Sequence, residues 1–154
     1  MKSLIWCLVY TIFAVWLQRY IPGLDCFAPA LVGCLYLGIT TATIWFAVIW
    51  ILIQEGIGSL AFGSTLLFYA GIAIFFFSSK TIFTKQSWFF LINISIFTAG
   101  YYFLVMYCMC SLQELYIPWS VFLENSLLIL VFFPILLCIV VLSYSQWVIN
   151  LNHE

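Results

Sequence analysis

The chain has 154 residues, 67% of them hydrophobic and only 6% charged, with a net charge of −1. A soluble domain carries about a quarter charged residues to solvate its surface, so this composition excludes a water-facing globule and leaves lipid as the solvent. No basic patch is present to neutralise phosphates, which removes nucleic acid as a partner.

In lipid every backbone amide must be satisfied within the chain, by helices or by a closed barrel. A barrel shows alternating segments of about ten residues, whereas residues 127–142 form an unbroken apolar run. The expected fold is therefore an all-α, polytopic integral membrane helix bundle, a single transmembrane domain over residues 1–154. Its first span covers residues 3–20 behind Lys2. No small-x-small cleavage site follows, so the segment reads as a retained span and not a secretory signal. Gly23-Leu24-Asp25 ahead of Cys26 likewise matches a lipoprotein site poorly. Pro22 and Gly23 close the first span, and Asp25 falls in a short loop ending at Pro29.

Residues 30–54 admit two readings. They are long enough for one tilted helix, yet Gly38-Ile39-Thr40-Thr41 interrupts them, so two short helices folded back on each other fit equally. A break follows at Glu55-Gly56-Ile57-Gly58-Ser59. Further spans are predicted over residues 60–77, 88–110 and 119–147. A polar stretch over 78–87 carries Lys80 and Lys85, and a loop covers 114–118. A hairpin at 30–54 gives six spans, with Lys2, Lys80 and Lys85 cytoplasmic and Arg19 outside. A single helix gives five, with Arg19, Lys80 and Lys85 inside. The positive-inside rule scores both models alike and leaves both open.

Chemistry-bearing residues are sparse. Six cysteines invite a redox reading, but the thiolate tuning of a Cys-x-x-Cys pair is missing. Cys26 and Cys34 are too far apart in sequence, and Cys108 and Cys110 fall on nearly opposite helix faces. Buried cysteine as a small hydrophobe fits all six. The one histidine, His153, has no ligand cluster around it, one aspartate cannot make an aspartyl peptidase, and no base is spaced to serve a serine. A non-enzymatic protein with no cofactor or metal is the expectation.

Packing signals are better represented. Ser59-x-x-x-Gly63 and Gly38-x-x-x-Ala42 place small residues on one helix face, where backbones approach closely. Ionisable groups at membrane depth are functional candidates by default, which singles out Glu55, at a helix end, and Glu124, beside Asn125 and Ser126. Glu114 reads as a solvated loop carboxylate. Glu55, Gly58, Ser59, Gly63, Gly38 and Glu124 are therefore the candidate helix-packing or partner contacts.

Leu17-Gln18 ending the first helix, Pro22 in the loop, and Pro29 opening the next segment resemble the bacterial rod shape-determining protein MreD family. So does the run from Ile53 through Glu55, Gly58-Ser59-Leu60 and Gly63 to Leu66, an acidic helix end followed by a Gly/Ser turn. The family more often has Asp where this chain has Glu55. The resemblance covers residues 13–77 and implies a six-helix bundle in the bacterial inner membrane with both termini cytoplasmic. It also implies a non-enzymatic place in the cell-elongation, or peptidoglycan-synthesis, machinery. Its partners there would be a bitopic MreC-like protein and, through it, an MreB-like filament and the peptidoglycan synthases. The implied fold is similar to that of the substrate-binding subunits of vitamin transporters, which is the alternative expectation. Against that alternative, few polar groups (Gln18, Gln113, Asn125) are available to line a pocket.

Overall fold

The computed structural model describes residues 2–57, 63–82, 88–116 and 118–152. Those residues form helices without strands: α1 (Lys2–Tyr20), α2 (Phe27–Tyr36), α3 (Thr40–Ile57), α4 (Ser64–Ile82), α5 (Trp88–Leu112) and α6 (Trp119–Asn152). Among the described residues three segments are long and apolar enough to cross a membrane: Ser3–Tyr20, Phe89–Leu112 and Trp119–Ile149. The others are shorter apolar helices. The all-helical membrane bundle expected from composition is what the chain forms.

Successive helices run antiparallel. Ser3, at the start of α1, hydrogen-bonds Tyr144 near the end of α6 at 3.1 Å. At the opposite end, Gly23 lies against the Asn125 side chain of early α6. Apolar side chains such as Ile12 and Trp16 of α1, Trp45 and Leu52 of α3, and Ile139 of α6 point outward and are exposed. This is an exterior suited to lipid. Several hydroxyls inside the helices are satisfied locally: Thr11 donates to the Cys7 carbonyl, Thr43 to Ile39, Ser95 to Leu91 and Thr98 to Ile94. These return bonds make polar side chains tolerable in a medium without water.

Residues 30–54 are two helices. α2 has 10 residues, a length of roughly 15 Å that covers about half of the hydrocarbon. It is the core of the bundle, buried from Phe27 through Cys34 and packed by α6, α3 and α4. Phe27 stacks on Trp50 of α3 with ring centroids 5.6 Å apart. Trp50 in turn donates to Thr11 Oγ1 of α1 at 2.8 Å. Gly33 lets α2 approach α6, since a Cβ there would collide with Val140 Cγ1. Gly71 serves α4 in the same way against the ring of Tyr101. Cys7 and Cys34, not singled out as a pair by their spacing, lie close together across α1 and α2.

The turn between α2 and α3 has a specific chemistry. Gly38 has φ +76°; Ile39 N–H donates to the Cys34 carbonyl at 3.1 Å and Gly38 N–H to that of Leu35 at 3.3 Å. This is a Schellman ending, which places a left-handed residue after the helix. The small-residue pattern predicts that Gly38 seats a neighbouring helix, yet a Cβ there would meet nothing within 4 Å, and its role within the chain is to end α2. The same motif closes α5, with Leu115 N–H on the Cys110 carbonyl and Glu114 N–H on that of Ser111. There Glu114 occupies the left-handed position at φ 55°.

Two substitutions should therefore act with opposite sign. Gly38→Ala should cost about 1–2 kcal/mol, the penalty of a side chain in the left-handed region. Glu114→Gly should raise stability by up to about 1 kcal/mol after the added chain entropy is subtracted. Thermal unfolding of the purified protein in detergent measures both. Equal shifts of one sign would show that these turns do not control the helix ends.

Candidate functional site

Asp25 is the centre of the polar chemistry. Pro22 and Gly23, the latter at φ +88°, turn the chain back after α1, and Leu24 and Cys26 bury themselves on either side of Asp25. Its Oδ1 accepts the backbone N–H groups of Phe27 at 2.8 Å and Ala28 at 3.2 Å, the free donors of the first turn of α2. The same oxygen accepts Gln54 Nε2 of α3 at 3.2 Å and the Tyr69 hydroxyl of α4 at 3.1 Å. One atom thus ties three helices together. The neighbouring Cys26 carbonyl accepts the Tyr10 hydroxyl at 2.8 Å, adding α1.

Burial lifts the Asp25 carboxyl above its ordinary value of 3.8, while its four hydrogen bonds pull the other way. Burial, with the Asp25 charge beside it, pushes the Cys26 thiol up to about 12. Cys26 is therefore a poor nucleophile. Sequence reasoning places Asp25 in a loop, which is correct, but misses that the loop folds into the protein. The available signal is an aspartate two residues before Phe27-Ala28-Pro29, a capping arrangement for a helix that opens with proline in its first turn.

Asp25 opens on a cavity of about 330 Å³ whose walls include Gln18, Gln54, Ser64, Phe68 and Tyr102. This corrects the expectation that few polar groups could line a pocket. Of the three polar residues counted from sequence, Gln18 lines the cavity. Asn125 lies behind it, its side chain against the cavity-lining Gly23. Gln113 lies elsewhere, its Nε2 enclosed without a partner among the described residues. The polar walls come chiefly from residues within the predicted spans.

Glu55 has a defined task. From the last turn of α3 its Oε1 accepts the N–H groups of Gly63 at 2.8 Å and Leu66 at 3.4 Å, capping the N-terminus of α4 where negative charge is favoured. Gly63 has φ +102°, and a Cβ there would meet nothing within 4 Å. It supports this turn by conformation, with no neighbouring helix against it among the described residues. Gly58 and Ser59 lie outside the described residues. Glu124 is exposed on early α6. Next to it runs a second feature, a groove of about 340 Å³ between α5 and α6. Ile96, Ala99, Gly100 and Phe103 form one wall, and Leu123, Ser126, Leu127 and Leu130 the other.

Among the described residues no three His, Cys, Asp or Glu side chains gather as metal ligands. No protein-family model, curated protein or solved structure matches this chain.

Asp25→Asn keeps an oxygen for all four donors, whereas Asp25→Leu strands buried donors at about 1–3 kcal/mol each. The leucine variant should lose its folded, monodisperse form in gel filtration while the asparagine variant keeps it. A pH effect follows. With the folded carboxyl raised, the folded chain holds a proton that the unfolded chain releases above 3.8. The stabilisation is full below that value and is lost as pH rises through the folded pKa. Melting measured from about pH 4 to about pH 8 should show this decline, and Asp25→Asn should remove it. An identical slope in both proteins would contradict the assignment.

Proposed function

We propose that this chain is a non-enzymatic scaffold of the bacterial inner membrane that docks a partner helix as part of the cell-elongation machinery, in the manner of the MreD family it resembles. The observation that carries docking is the α5–α6 groove. Its walls repeat at positions i, i+3, i+4 and i+7 on both helices, the spacing by which a third helix is received. Its floor includes Gly100, where a Cβ would meet nothing within 4 Å, so a partner backbone can approach closely. Ser126 brings to it a hydroxyl enclosed without a partner among the described residues. Exposed Glu124 stands at its edge, ready for a cation on a partner.

Two residues behind the resemblance also act together, Glu55 capping α4 through Gly63. In this reading both termini are cytoplasmic, which suits the antiparallel order of the six helices. That order brings the start of α1 and the end of α4, hence Lys2 and Lys80, to one end of the bundle and Arg19 to the other. That distribution agrees with the positive-inside rule. The partner in this reading is a bitopic MreC-like protein, leading to an MreB-like filament and peptidoglycan synthases. The cavity at Asp25 favours a second reading, the substrate-binding membrane subunit of a small-molecule, vitamin-type transporter.

Gly100→Leu fills the groove without meeting a neighbour in the chain. It should lower co-purification of the bitopic partner by roughly tenfold, about 1.4 kcal/mol, and leave melting unchanged. Undiminished co-purification would remove the groove as the docking face, and normal rod shape after depletion of the protein would remove the elongation role.

A further inference from the structure

The cavity at Asp25 has no part in helix docking, and its chemistry leads beyond that reading. We propose that it binds an organic ammonium ion, with the cationic head on Asp25 Oδ2 and the carbon skeleton against the rings of Phe68 and Tyr102.

The argument begins with the carboxylate. All four donors described for Asp25 reach Oδ1, and none of the described hydrogen bonds reaches Oδ2, while the residue lines the cavity. No lysine or arginine among the described residues contributes a compensating charge. Arg19 is exposed at the end of α1, Lys80 lies in the last turn of α4, and Lys2 begins α1, both at the far end of the bundle. A partly buried carboxylate with donors but no cation is costly to hold ionised, and a cation in the cavity supplies the missing charge.

The walls choose the kind of cation. Phe68 and Tyr102 meet edge to face with centroids 5.5 Å apart, presenting aromatic surface to the same space, and such rings attract ammonium groups. Gln18, Ser64 and Thr65 add oxygen acceptors for N–H donors. A metal ion fits poorly, because a hard cation needs six or more oxygen ligands and this cavity holds one carboxylate. An anion would face Asp25 with no positive wall. The volume, about 330 Å³, is at the small end of ligand pockets, which limits the guest to a small amine or to the head of a larger molecule. The same chemistry, a primary ammonium on a short carbon chain, is found in free amines and in the ethanolamine headgroup of a phospholipid.

The test uses the full chain in nanodiscs of phosphatidylglycerol, which contain no amine, with radiolabelled butylammonium as probe and 1-pentanol as the neutral comparison. Saturable binding at one site per chain is expected, weakened at least tenfold by Asp25→Asn, with no comparable binding of the alcohol. Phe68→Leu, which keeps the carboxylate, should weaken binding several-fold and decides the matter should Asp25→Asn fail to fold. Repetition in phosphatidylethanolamine nanodiscs separates the sources. Suppressed butylammonium binding identifies the lipid headgroup as occupant and unchanged binding a free amine, and either supports the proposal. Absence of saturable ammonium binding, equal binding of the alcohol, or indifference to both substitutions would overturn it. Because none of these outcomes involves the α5–α6 groove, failure here leaves the docking test untouched.

Discussion

The structure depends on a single carboxylate oxygen held inside a membrane bundle. α2 is too short to cross the bilayer, so its first turn opens within protein, where bare N–H groups have no water to meet. Asp25 Oδ1 meets two of them and at the same time receives Gln54 and Tyr69 from the flanking helices. The N-terminus of α2 is thereby fixed in place, and the aromatic contacts of Phe27 and Trp50 pack around a backbone already positioned. Helix association in lipid gains little from the hydrophobic effect. Close glycine contacts and internal polar bonds must therefore carry more of the specificity. Gly33, Gly71 and the Asp25 cluster are where this chain places them.

The proposed function divides between the interior and the exterior. The interior end near Asp25 and Glu55 is polar and tied across helices, whereas the α5–α6 groove is apolar, shallow and open to a neighbour. A scaffold needs the second kind of surface on a rigid support. The Glu55 cap and the two Schellman endings supply that rigidity at the helix ends, where lipid-embedded chains otherwise leave backbone groups unmet. The cavity adds a chemistry that a scaffold does not require, and it is the reason a small ligand belongs in the account.

Much of this was legible in the sequence. Charge depletion and long apolar runs specify a helical membrane bundle, because lipid leaves the backbone few alternatives. Gly38 interrupts residues 30–54 in the sequence without deciding between one helix and two, and Glu55 stands at a helix end without announcing that it caps α4. Other features could not be read locally. Gly33 and Gly71 have no small residue four positions away, so their close approaches emerge only when α2 meets α6 and α4 meets α5. Cys7 and Cys34 come together through the fold and not through spacing. The burial of Asp25 depends on Pro22 and Gly23 turning the loop inward, and on Gln54 and Tyr69 arriving from segments that read as plain apolar spans.

The central claim, that one oxygen couples α2, α3 and α4, is tested most directly by a double-mutant cycle between Gln54→Leu and Tyr69→Phe, read as unfolding free energy in detergent. Side chains that share an acceptor should be coupled, and a non-additive term of about 0.5–3 kcal/mol is expected. Additive effects within about 0.5 kcal/mol would show that the two helices are held independently and would contradict the account.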